Sequence, residues 1–174
     1  GMVNGVVLAD HAVQRQVEIT GPDALELVQL LTPREMATLA VGRGRYVIFT
    51  DQNGGIINDA VLLRVEENKY WLSPGDGDVI LWAEGIALGR GLDVQVTEPD
   101  VSPLQLQGPL SPHVAKKLFG DIAITMGYYH CHELTLNDIP VVLTRTGWSG
   151  ELGYEIYLLD ETRGTELWDL VMAA

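Results

Sequence analysis

Cysteine is nearly absent: Cys131 is the single one in 174 residues. One thiol excludes an internal disulfide framework and fits a reducing, cytoplasmic setting. Basic residues are scarce as well, 11 Lys and Arg against 24 Asp and Glu, for a formal net charge of −13. Nucleic-acid backbones and anionic membrane surfaces call for Lys/Arg patches, so neither is an expected partner. The excess acid is at minimum a solvated surface that keeps the protein soluble. There is no apolar run of the roughly 18 residues that a membrane-crossing helix needs. Gly1-Met2-Val3-Asn4 lacks the basic start and cleavage pattern of a signal peptide, and Gly1 before Met2 reads as a cloning remnant. There is no phosphate loop, no dinucleotide-type Gly-x-Gly-x-x-Gly after a strand and no nucleophile elbow. Gly150 to Gly153 is too short for a dinucleotide fingerprint and follows the wrong element.

What is present is an ordinary globular composition, 47% hydrophobic and 20% charged. At about 150 residues per domain the length suits one domain or two small ones, with a core that needs no staples. The 19 glycines and 8 prolines are spread along the chain and predict many turns.

Val13 to Ile19 alternates between apolar and polar residues, as a half-buried strand does. Thr20-Gly21-Pro22-Asp23 then opens a helix whose predicted apolar face is Leu25, Val28, Leu30 and Leu31. Arg45 to Thr50 and Ile56 to Val65 read as strands joined by the turn Asp51-Gln52-Asn53-Gly54-Gly55. A third strand is expected at Tyr70 to Ser73, a helix capped by Asp76 or Asp78 running to about Leu88, and a short strand at Leu92 to Val96. Tyr70, Trp71 and Trp82 read as core aromatics.

The second half repeats this order. A strand at Leu104 to Gln107 leads into Gly108-Pro109 and a helix with Val114, Leu118 and Phe119 facing inward. Tyr128 to Leu136 and Pro140 to Thr146 flank the turn Asn137-Asp138, followed by a strand at Tyr154 to Leu159 and a helix at Thr165 to Ala173. Gly21-Pro22 and Gly108-Pro109 lie 87 residues apart; Leu81-Trp82 and Leu167-Trp168 lie 86 apart. The prediction is an α+β fold of two duplicated β-α-β-β-β-α halves, residues 10–98 and 99–174, with antiparallel or mixed sheets and helices on one face. The break falls near Thr97 to Pro103, where Pro99 and Pro103 interrupt regular structure. The last residues, Val171-Met172-Ala173-Ala174, end inside a predicted helix without a stop signal, so the chain reads as a fragment with an incomplete second half.

Three stretches could carry chemistry. Asp59, in Gly54-Gly55-Ile56-Ile57-Asn58-Asp59-Ala60, interrupts an apolar run just past a glycine turn. Two readings stand on the residues alone. One is a carboxylate bonded to nearby amides at a hairpin end. The other is a partly buried carboxylate that orients a proton or stabilises a developing cation. The second stretch runs from Arg145 through Gly147-Trp148-Ser149-Gly150 to Tyr154-Glu155-Ile156-Tyr157. Its glycines let backbone approach a flat ligand and its aromatics could cover one. Strand alternation puts Glu155 and Tyr157 on one face. An ionised carboxylate only accepts, so Glu155 suits a ligand with two adjacent N–H donors. A surface hairpin with an exposed Glu fits the same residues. The third stretch, His130-Cys131-His132, places two histidines on one strand face, but no third ligand follows from spacing and no metal is expected.

Gly54-Gly55-Ile56-Ile57-Asn58-Asp59, Gln107-Gly108-Pro109 and Arg145-Thr146-Gly147-Trp148-Ser149-Gly150-Glu151-Leu152-Gly153-Tyr154-Glu155 together resemble the aminomethyltransferase family of the glycine cleavage system, the T-proteins. Asn58-Asp59, Val61-Leu62-Leu63, the run Glu98 to Pro103 and Gly147-Trp148-Ser149 look closest to its dimethylsulfoniopropionate demethylase-like members. The likeness runs from about Val13 to the end. It implies a tetrahydrofolate cofactor in a central cavity and one-carbon transfer, of a methyl or aminomethyl group, from a small-molecule amine or sulfonium donor. Carried over, Glu155 takes the pterin through paired N–H groups, Trp148 lies against the folate and Tyr157 lines the pocket. Asp59 stands beside the reacting folate nitrogen as the catalytic carboxylate, and Tyr46 and Ser73 line the substrate side. Both acids are thereby expected to serve the same reduced pterin. T-proteins usually carry Tyr in place of Trp148 and Asp in place of Leu152, which speaks against the glycine-cleavage reaction itself. The resemblance also implies that a C-terminal barrel domain, and an N-terminal segment completing the second domain, are absent from this chain. The rival expectations are a folate-binding regulatory or repair protein without transferase chemistry, and an inactive fragment.

Overall fold

The computed structural model describes residues 2–75 and 77–174. The first strand is β1 (Val7–Asp10). Then come β2 (Val17–Thr20), α1 (Ala24–Leu31), β3 (Arg43–Thr50), β4 (Ile56–Glu66), β5 (Lys69–Pro74), α2 (Val79–Arg90) and β6 (Gln95–Thr97). The rest is β7 (Ser102–Gln107), α3 (Ser111–Phe119), α4 (Ile122–Thr125), β8 (Cys131–Leu136), β9 (Ile139–Thr144), β10 (Gly153–Leu158), a 3-10 turn and α5 (Gly164–Met172).

The chain divides into two compact units, Gln14–Pro99 and Gly1–Val13 together with Asp100–Ala174. Each holds one five-stranded sheet: β3-β4-β5-β2-β6 in the first, β8-β9-β10-β7-β1 in the second. The strand pairs of both sheets are antiparallel, so the mixed option in the sequence reading drops out. Matched in order, β2 corresponds to β7, β3–β5 to β8–β10 and α2 to α5. The fifth strand differs in origin. In Gln14–Pro99 it is β6, which follows α2; in the other unit the same place beside β7 is taken by β1, from the start of the chain. The sequence predicts no strand there and a first half that begins at residue 10, whereas residues 10–13 pack with residues 100–174. Strand pairing between distant segments leaves no local signature in the sequence.

The repeated Gly-Pro pair has a packing reason. Gly21 and Gly108 have φ of 125° and 121°. At each, a Cβ would strike the backbone leading into the fifth strand, Asp93 and Val94 for Gly21, Gly5 and Met2 for Gly108. Only glycine permits both the conformation and the approach.

In each unit the helices cover one sheet face. Ile19, Phe49, Leu62 and Leu72 meet Leu27, Val28 and Leu31 of α1 and Ala83 of α2 in one core. Leu106, Leu143, Tyr154 and Ile156 meet Ala115 of α3 and Leu167 of α5 in the other. The α1 residues buried are Ala24, Leu27, Val28 and Leu31, the i, i+3, i+4, i+7 set; Leu25 and Leu30, expected inside, are only half-buried. Val13 to Gln16 and Leu92 to Val94 fall outside the strands expected to contain them. Tyr128 to His130 precede β8 rather than forming it, and Tyr129 has φ 60°. The turn Asn137-Asp138 has φ of 47° and 63°, the paired left-handed residues of a tight hairpin. Asp78 flanks α2 without a side-chain cap bond, and Asp76 lies outside the described residues. Among the described residues no helix is long and apolar enough to cross a membrane.

Candidate functional site

Chemistry-bearing side chains gather on the sheet face away from the helices in each unit. In the unit containing residues 100–174, Ile156 points to the core, so Glu155 and Tyr157 point the other way. Glu155 stands opposite Gln105 of β7 and Thr144 of β9. It is buried, 4% exposed, which removes the surface-hairpin reading. The Gln105 amide donates to Glu155 Oε1 at 2.8 Å. The Thr146 hydroxyl donates to Oε2, and the Tyr157 hydroxyl reaches Oε2 at 3.4 Å. Thr146 Oγ1 is also 2.5 Å from Thr144 Oγ1. Among the described residues no cation forms an ion pair with Glu155. The result is a carboxylate held by neutral donors, with one bond on Oε1 and, on Oε2, one close bond and one long one.

Trp148 is 70% exposed. Its ring lies 5.7 Å from that of His11, with Nε1 donating to His11 Nδ1 at 3.5 Å. The loop that carries it is pinned by Gln107. The Gln107 amide donates to the carbonyls of Thr146 (3.2 Å) and Tyr154 (3.1 Å), and its Oε1 accepts from Ser149 at 2.6 Å. Gly153, opposite Gln107 in the β7–β10 register, leaves room for that amide; a Cβ there would overlap it. Gly153→Ala is therefore expected to destabilise the chain by about 2–4 kcal/mol, through overpacking and broken bonds to Gln107. Urea unfolding measures this, and an unchanged midpoint would contradict the role given to Gln107.

In Gln14–Pro99, Ala60 points into the core, which turns Asp59 to the opposite face. Asp59 is exposed there, not partly buried as the mechanistic reading expected. It is not a hairpin-end carboxylate bonded to amides either: its Oδ2 accepts from the Tyr46 hydroxyl at 2.6 Å. That bond, aided by desolvation and by the Asp59 charge, raises the Tyr46 pKa above the usual phenol value, so Tyr46 stays a donor. Tyr46 and Ser73 both stand opposite Val61, one on each side, so Tyr46, Asp59 and Ser73 share a face across three strands. Ser73 Oγ accepts from Gln16 Nε2 at 3.1 Å.

Sequence reasoning missed Gln105, Thr146, Gln107 and Gln16. Gln105 and Gln107 alternate with buried leucines in β7, a detectable signal, but their partners depend on register with β10. Cys131 is buried, and burial aided by the Glu133 charge pushes its thiol up to about 12. The His130 and His132 rings are 6.2 Å apart, and among the described residues no group of three or more His, Cys, Asp or Glu could hold a metal ion.

Comparison with known proteins gives this geometry a family context. Dimethylsulfoniopropionate demethylase DmdA of Ruegeria pomeroyi is 40% identical over 165 residues, covering 95% of this chain and 45% of that protein. An aminomethyltransferase of Symbiobacterium thermophilum is 30% identical over 176 residues, covering 96% and 47%. The crystal structure of glycine cleavage system aminomethyltransferase T from Bartonella henselae matches with a TM-score of 0.86 at 25% identity, covering 98% of this chain and 46% of that one. The chain thus spans about half the length of the curated relatives it matches. The family model described as the GCVT N-terminal domain matches residues 1–174, and the chain belongs to that family.

Proposed function

We propose that the protein is a tetrahydrofolate-dependent one-carbon transferase whose donor is a sulfonium or amine, closer to a demethylase than to the glycine-cleavage enzyme. The observation that carries this reading is the Glu155 carboxylate, buried among neutral donors with no cation partner among the described residues. Such a group suits the paired N–H edge of a pterin, by a planar two-bond match. When bound, tetrahydrofolate supplies the nitrogen nucleophile that accepts the one-carbon unit.

The chain's own residues divide the work. Gln105 and Thr146 hold the Glu155 carboxylate in place, so the ligand meets a preset acceptor pair. The Tyr157 hydroxyl, on the same oxygen at 3.4 Å, gives way at little cost. Trp148, 70% exposed, offers an aromatic face to the folate. Asp59, oriented by Tyr46, offsets the positive charge of the donor carbon's onium group. Methyl transfer from a sulfonium releases a neutral sulfide and needs little acid–base help, so positioning dominates the rate. A reducing cytoplasm is the setting that suits the single thiol.

The test uses the full-length protein, tetrahydrofolate and methyl-labelled donors, dimethylsulfoniopropionate and a set of methylated amines. The expected result is label on the folate, read by mass spectrometry, with release of the demethylated donor. Folate binding without label transfer from any donor would favour a regulatory protein. Absence of folate binding by calorimetry would remove the reading altogether.

A further inference from the structure

Trp148 sits on a loop that does not itself fix the direction of its ring. Gln107 pins that loop on both sides of it, through the Thr146 carbonyl and the Ser149 hydroxyl, but neither bond reaches the indole. Gly147 precedes it and brings no side chain to brace it. At 70% exposure, core packing does not orient the ring either. Among the described residues, the hydrogen bond and the ring contact that the indole makes are both with His11. His11 is itself anchored. It follows β1 directly, is half-buried, and its N–H donates to the Pro103 carbonyl of β7 at 3.0 Å. His11 and Trp148 are 137 residues apart in the chain, yet they belong to one unit, because that unit takes its fifth strand from the start of the chain. An indole N–H only donates, so the bond requires a free lone pair on His11 Nδ1.

We propose that His11 is a positioning residue that holds the Trp148 indole as a preset stacking face for tetrahydrofolate. This rests on the reading of Trp148 as the aromatic that lies against the folate, and adds the side chain that sets its angle. An untethered, exposed indole loses side-chain freedom when a flat ligand lands on it, and that loss weakens binding. A ring tied in advance has already given up that freedom. The tie runs through the N–H edge, and the ring stays 70% exposed, so an aromatic face remains open to the ligand. β1 then does more than complete a sheet: it delivers the side chain that orients the Trp148 ring.

The experiment measures tetrahydrofolate affinity of the full-length protein by calorimetry. Alongside it, fluorine NMR of fluorotryptophan-labelled protein reads the state of the ring, with the Trp148 line identified by its loss in Trp148→Phe. His11→Leu keeps bulk but offers no acceptor. It is expected to raise the folate dissociation constant about three- to tenfold. KM for the folate should rise in step, with kcat at saturation within about threefold of wild type. In the unliganded protein its Trp148 line should move to the position of a freely exposed indole. His11→Asn puts an acceptor oxygen where Nδ1 stood and should restore both affinity and line position. His11→Gln carries its acceptor one bond further out and should restore neither. The double variant His11→Leu/Trp148→Phe should be no weaker than Trp148→Phe alone, because His11 acts through Trp148. A His11→Leu protein with wild-type affinity overturns the proposal, whether or not the line moves, as do additive losses. Tighter folate binding by His11→Leu also overturns it, and would make His11 a latch that holds the ring away from the ligand. If His11→Leu does not fold by circular dichroism, the Asn and Gln variants decide, and equal folate affinities for the two overturn the proposal. Wild type that binds no tetrahydrofolate would sink the proposed function and this inference together. Equal binding by wild type and His11→Leu would sink this inference alone.

Discussion

Asp59→Ala in the full-length protein is expected to lower kcat by about 100- to 1,000-fold while the dissociation constant of tetrahydrofolate moves less than about threefold. The carboxylate is exposed on β4 and, among the described residues, accepts one side-chain bond, from the Tyr46 hydroxyl at 2.6 Å. An exposed side chain contributes little to a core, so its removal should leave the fold intact. On the proposed function, the substitution removes negative charge beside the positive carbon centre being transferred, an interaction that matters most at the transition state. Asp59→Asn keeps the shape and an acceptor for Tyr46 but not the charge, and should be nearly as slow. A variant that turns over at the wild-type rate would leave Asp59 as a surface carboxylate with a tyrosine partner.

Glu155→Gln is expected to do the opposite. Its effect should fall on tetrahydrofolate affinity, weakened about 100-fold, with kcat at saturating folate within about threefold of wild type. The amide keeps one acceptor but presents a donor where the carboxylate presented an acceptor, so one of two ligand N–H groups meets N–H. It also faces the Gln105 amide and the Thr146 hydroxyl, both of which donate to Glu155. Near-ultraviolet circular dichroism and a melting curve separate this effect from loss of fold. Calorimetry reads the affinity. If Glu155→Gln slows turnover and spares binding, or Asp59→Ala weakens binding and spares turnover, the assignment of recognition to one acid and transfer to the other is wrong.

The two acids were legible in different degrees. Asp59 stood out as the one carboxylate in an apolar run, and Glu155 as an acid inside a glycine- and aromatic-rich stretch. Their surroundings were not. That Asp59 is exposed and tied to Tyr46 follows from the pairing of β3 with β4, which places Tyr46 one diagonal step away. That Glu155 is buried and held by Gln105 follows from β7 lying beside β10, fifty residues apart in the chain. Gln16 gave no signal at all, since its bond to Ser73 joins side chains 57 residues apart in the chain.

The sequence alone determined the turns, the alternation of the strands and the duplication. Asn137-Asp138, Asn53-Gly54 and the twin Gly-Pro pairs act through backbone preferences that span a few residues, and repeated local chemistry is readable as a repeat. Tertiary structure decided the fifth strand. β6 follows its own unit's helix, while β1 enters the other sheet from the far end of the chain, and both solutions satisfy the same edge of hydrogen-bonding groups beside β2 and β7. A strand edge accepts whichever segment reaches it in register, so the choice is made by the folded chain and is not written at any one place along it.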